Sequence, residues 1–147
     1  MLVQDIHQRL TAALPAGVPV LTPDQLLIPG EWEEETPDGD IKAGGERGLH
    51  VYLRQRAPAG YVQIEQPMPI TSDGTTATYW CAVAAIHADK GSAALLARAV
   101  RRALNGTPYE PGAFREVAPG QPETLAPGAW LVRATYEILT IDGDTAG

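Results

Sequence analysis

The stretch WCAVAAIHADKGSAALLARAVRRALNG, Trp80 to Gly106, leaves this chain few ways to fold. Its opening is apolar at every position and shows no helical stripe, which predicts a strand covered on both faces. The small residues Ala82, Ala84 and Ala85 in it allow a helix to approach closely. A polar turn follows, where Asp89 or Ser92 can cap a helix. Leu96, Val100, Ala103 and Leu104 then recur at i, i+4, i+7 and i+8, a single apolar stripe that Asn105-Gly106 closes. A strand handing over directly to an amphipathic helix requires a sheet for that helix to cover.

The rest of the chain supplies such a sheet. VQDIHQRLTAAL repeats the stripe with Ile6, Leu10, Ala13 and Leu14, and Pro15 and Gly17 stop it. VPVLTPDQLLI is extended, its prolines suiting an edge. In LHVYLRQR, Leu49, Val51 and Leu53 alternate with His50, Tyr52 and Arg54, and YVQIEQP resumes the alternation after an APAG turn, so an antiparallel hairpin is expected. AWLVRATYEILTI is a long closing strand. Between these lie two long loops, an acidic, glycine-rich one over 29–48 and one over 107–128 with five prolines. The expected fold is α+β: one domain over 1–147, a two-layer sandwich whose mostly antiparallel sheet carries two helices on one face. The opposite face, with Tyr52, Arg54, Gln63, Glu65 and Arg133, is expected to be amphipathic and open to water or a partner.

Charge and cysteine use narrow the function. A formal charge of -7 argues against reading nucleic acid, which needs clustered Lys and Arg. A single cysteine, Cys81, permits neither an internal disulfide nor a thiolate zinc cluster. MLVQDIHQRLTAALPAG mixes Asp5, His7 and Arg9 into its apolar positions, so no signal peptide and no membrane association are expected.

A search for chemistry returns little. His7, His50 and His87 fall on different expected elements without a second ligand at metal spacing; His87-x-Asp89 is the nearest candidate. Cys81 sits mid-strand, where a small buried hydrophobe is the expected role. No G-x-S-x-G, Walker A or G-x-G-x-x-G pattern occurs. The expectation is a protein without catalytic residues, metal or cofactor. Two charged features stand out instead. Glu31, Trp32, Glu33, Glu34 and Glu35 form an acidic segment that reads as a solvated loop or as an arm docking on a basic partner; Arg98, Arg101 and Arg102 line the side of the second helix away from its apolar stripe. Acid and base so separated suit a head-to-tail contact between copies.

A helix, antiparallel strands, the strand AAIHADKG leading into SAALLARAVRRALNG, and a closing GAWLVRATYEIL resemble, in that order, the tail terminator and minor tail proteins of long-tailed bacteriophages, the gpU-like group. The strand–turn–helix matches best. The resemblance implies a structural virion protein, made in the host cytoplasm and placed in the neck of the tail. It implies a hexameric ring that caps the tail tube, stops its polymerisation and offers the surface joined by head–tail connector proteins, while DNA passes through without specific binding. On that reading Arg98, Arg101 and Arg102 are subunit-contact candidates, and Glu31 to Glu35 dock on a partner or face the bore. Another neck component (a head–tail joining or tail-completion protein), or the cap of a contractile injection machine, is the nearest alternative. A small binding or adaptor module of the cytoplasm is the alternative from another class.

Overall fold

The computed structural model describes residues 2–25, 33–35, 41–43, 49–126 and 128–141. In chain order the elements are α1 (Leu2–Ala13), β1 (Val20–Leu21), β2 (Glu33–Glu35), β3 (Ile41–Ala43), α2 (Leu49–Gln55), β4 (Tyr61–Ile64), β5 (Met68–Ser72), β6 (Thr76–His87) and α3 (Lys90–Leu104). Five further strands follow: β7 (Pro108–Tyr109), β8 (Gly112–Ala113), β9 (Arg115–Ala118), β10 (Glu123–Ala126) and β11 (Ala129–Ile141). The architecture is α+β, built on a seven-stranded, mostly antiparallel sheet.

The two long strands form its centre. β6 and β11 run antiparallel from Trp130 opposite His87 to Ile141 opposite Thr76. β4 and β5 share the other edge of β6, β4 along Val83–Ile86 and β5 along Ala77–Trp80. β9 and β10 likewise share the outer edge of β11. β1 adds at the end, parallel to β4, as suits a proline-flanked piece at an edge.

One face of this sheet carries α1 and α3. Leu2, Val3, Ile6 and Leu10 of α1 and Ala93, Leu96, Val100 and Leu104 of α3 are buried there. They pack on Val62, Ile64, Cys81, Val83, Tyr136 and Ile138 from the sheet. The expected stripes hold except at Ala13, which is exposed; Leu14, just beyond the helix end, is buried as expected. Arg9 ties α1 to the chain after α3. Its guanidinium donates to Thr107 Oγ1 (2.9 Å) and to the Pro108 carbonyl (2.6 Å), and lies 4.8 Å from the Phe114 ring centre.

The caps of α3 are those its sequence announces. The Asp89 carboxylate accepts from Ser92 N and from Ser92 Oγ, and Asn105 ends the helix before Gly106 at φ +81°. These hydrogen bonds, with the Ser92 amide first, hold the Asp89 carboxyl below its usual range. A depressed carboxylate pKa stabilises the fold above the unfolded-state value of 3.8, and that contribution is lost as pH falls through the native value. Asp89→Ala should therefore lower the urea midpoint at neutral pH, and the gap from the natural protein should close as pH falls below 3.8 and through the lowered native value. An unchanged midpoint at neutral pH would mean that Asp89 does not hold the helix start.

The LHVYLRQR hairpin strand is overturned: residues 49–55 form helix α2. Tyr52 and Leu53 are both buried although adjacent, which a strand with one covered face cannot achieve. In a helix, Leu49, Tyr52 and Leu53 fall at i, i+3 and i+4 on one side, where they meet Tyr61, Ala84, Ile86 and Leu131. Tyr52 packs edge-on against Tyr61, ring centres 5.3 Å apart. α1 and α3 share one face as expected, and α2 adds a third helix on the opposite face, where the sequence led us to expect a hairpin strand. Tyr52 and Arg54 belong to that helix and not to the sheet.

Both expected loops also contain strands. β2 and β3 pair as a separate two-stranded sheet, Glu34 opposite Lys42. Between 107 and 128, prolines punctuate the chain without abolishing its strands. Pro111 sits in the β7–β8 turn after a cis peptide bond, and Pro119 and Pro122 fall between β9 and β10. There the missing N–H costs no ladder bond.

Candidate functional site

The sheet face that carries α2 changes character along its length. At the α2 end it is buried and apolar. Its middle is polar: Gln63 donates from Nε2 to the Thr22 and Ile64 carbonyls, and the Arg133 guanidinium meets Glu65 at 2.5 Å. At the far end no helix covers it among the described residues. Met68 of β5 stands opposite Trp80 of β6, and Leu139 and Ile141 project from β11 on the same side. Their exposures are high for apolar side chains, 59% for Met68, 40% for Trp80 and 60% for Ile141. Glu137 lies among them, accepting from Trp80 Nε1 (3.0 Å) and from Arg115 (2.7 Å). β5 is exposed along its whole length and pairs with β6 alone, so its outer edge has no neighbour among the described residues.

A second feature lies on the opposite face, where α3 crosses the sheet. Ala94 and Ala97, three residues apart on α3, leave a groove of about 280 Å³ against the β9–β10 connection. Val132 and Ala134 of β11 lie beneath it, Arg98 and Arg101 form its helix-side wall, and Glu116 and Pro119–Gly120 form the other. The wall is fixed by local bonds. Asn105, the residue that ends α3, accepts the Glu116 amide at 2.9 Å through Oδ1, and Gly106 N donates to Phe114 O. Gly120 lies so close to β11 that a Cβ there would fall 1.9 Å from the Arg133 carbonyl oxygen.

The groove is electrostatically lopsided. Arg101, itself exposed, reaches the mostly buried Glu116 carboxylate at 3.4 Å, a loose pair. Arg98 and Arg102 are exposed and have no hydrogen bond or ion pair among the described residues. Below, Tyr136 is buried and its hydroxyl has no hydrogen-bond partner among the described residues; burial first, and the Glu116 carboxylate second, push its pKa upward.

The residues singled out in the sequence are thus distributed as follows. Arg98 and Arg101 come together on the groove; Arg102 is on the same helix but does not line it. Glu33, Glu34 and Glu35 are strand β2, while Glu31 and Trp32 lie outside the described residues. Cys81 is buried, and burial pushes its thiol up to about 12, far from a reactive thiolate. His7 Nε2 is 3.1 Å from the Val20 carbonyl, and His87 Nδ1 accepts from Asp89 N. Among the described residues no three His, Cys, Asp or Glu side chains gather as metal ligands, and no helix is long and apolar enough to cross a membrane. The apolar sheet end escaped sequence reasoning. Its signal was Trp80, on a strand whose other large apolar residues, Tyr79, Val83 and Ile86, pack beneath helices, with Met68 opposite it on the exposed strand β5.

No family model and no curated protein matches this chain.

Proposed function

We propose that this is a structural protein of a phage-like tail, a terminator that assembles as a ring, most simply a hexamer, on the end of the tail tube. There it stops tube growth and presents the surface to which the head–tail connector joins, with DNA passing through the bore. The observation that carries this reading is the uncovered end of the sheet. Met68, Trp80, Leu139 and Ile141 form an apolar patch across the adjacent strands β5, β6 and β11, and the outer edge of β5 has no neighbour among the described residues. A chain that works alone gains nothing from exposing such a surface, and one that docks on another protein requires it. The chain's charge of -7 also suits a bore through which DNA moves without adhering. The resemblance of the strand–turn–helix at residues 80–106 to tail terminators selects the partner.

The test is electron microscopy of tail-tube protein polymerising with and without this chain. Tubes should become shorter and bear a ring at one end. Trp80→Ala should weaken capping by about tenfold or more, the loss usual for a central aromatic anchor. Tubes of unchanged length with bare ends would refute the reading.

A further inference from the structure

The groove between α3 and the β9–β10 connection has a shape and charge that call for an occupant. Its small residues, Ala94, Ala97 and Ala134, leave about 280 Å³ open beside α3. Its rim is cationic in an otherwise acidic chain. Arg98 has no partner among the described residues and Arg101 has only the long contact to Glu116. An unneutralised guanidinium beside an apolar floor is best matched by a strand bearing carboxylates.

The chain itself contains such a strand. β2 is Glu33–Glu34–Glu35, and among the described residues it pairs with β3 alone, so one backbone edge of β2 has no strand partner among them. Among the described residues, Arg98 pairs with no carboxylate of its own chain. We propose that this groove receives the acidic strand β2 of a second copy of the chain, with Arg98 and Arg101 meeting Glu33–Glu35. Groove and strand are different surfaces, so the contact is head-to-tail and propagates from copy to copy, closing into a ring where the rotation allows. The inference rests on the self-assembly in the functional reading and is independent of the tail tube.

Two charge reversals test it. Arg98→Glu places acid against acid and Glu34→Arg places base against base, so each variant alone should associate at least tenfold more weakly than the natural chain in sedimentation velocity. Mixed in equal amounts they should assemble again. The Arg98→Glu groove then meets the Glu34→Arg strand, and every remaining contact is the natural one. Arg98 is exposed and has no partner among the described residues, so thermal melts of its variant should match the natural chain and exclude unfolding as the cause. A natural chain that stays monomeric at all concentrations, single variants that assemble normally, or a mixture that fails to recover would each overturn the proposal. Rings that form by this contact yet ignore tube ends would sink the tail-terminator reading and leave this contact standing.

Discussion

Phe114→Ala should destabilise the protein by about 3–5 kcal/mol, the cost of emptying a fully buried aromatic site. Phe114 is the only phenylalanine in the chain and is 1% exposed. Its ring meets Tyr109 at an interplanar angle of 62°, with centres 5.5 Å apart, and it carries the Arg9 guanidinium on its face. Its backbone bonds Gly106 and Thr107, so the same residue anchors the end of α3 and immediately precedes β9. Removing it should loosen α1, the β7–β8 hairpin and the Glu116 wall of the groove together. Phe114→Leu keeps most of the volume and should cost less than half as much. Urea melts of the two variants check this, and an alanine variant within about 1 kcal/mol of the natural chain would show that the ring is not an anchor.

Gly120→Ala should be nearly as damaging, at about 3 kcal/mol, the upper part of the range for overpacking. The neighbours of the added methyl are not flexible side chains that can turn aside. They are the backbone O, C and N of Arg133, at 1.9, 2.5 and 2.8 Å. Either the β9–β10 connection lifts from β11 or the strand bends. The amides of β9 and β10 should then lose hydrogen-exchange protection while those of β6 keep it, because β6 is held by α1, α3 and β11 as well. Unchanged protection in β9 and β10, with an unchanged melting temperature, would contradict the close approach. Because Gly120 lines the groove, the variant should also weaken self-association in the manner of Arg98→Glu.

The two substitutions differ in how far the sequence foreshadows them. A lone Phe between Ala113 and Arg115, within a proline-rich stretch, has no periodicity to mark it as core. It becomes core only because the chain after α3 folds back under Arg9. Gly120 in PGQP reads as an ordinary turn glycine, yet its φ is not positive and its role is contact with a strand that is distant in sequence. By contrast, α1, α3, β6 and β11 were legible, since long periodic segments average over many residues and tertiary contacts rarely overrule them. LHVYLRQR was not. Over seven residues, a two-residue and a 3.6-residue period both place leucines on one side, and only the presence of Tyr61 and Leu131 as a docking surface favours the helix.

The same division runs through the candidate site. The arginines on the exposed side of α3 and the acids of 31–35 are local facts, readable because helical spacing fixes which side chains share a face. That Arg98 and Arg101 border a groove, with Glu116 opposite, depends on where the β9–β10 connection comes to rest. The sequence by itself determined the helix stripes, the caps of α3, the two central strands and the separation of acid from base, because each follows from neighbours a few residues apart. Only the tertiary structure decided which sheet end α2 covers, which end stays bare with Trp80 and Met68, and what stands across from Arg98. Those outcomes depend on pairings between residues tens of positions apart, and no local pattern encodes which of several apolar surfaces will be left without a partner.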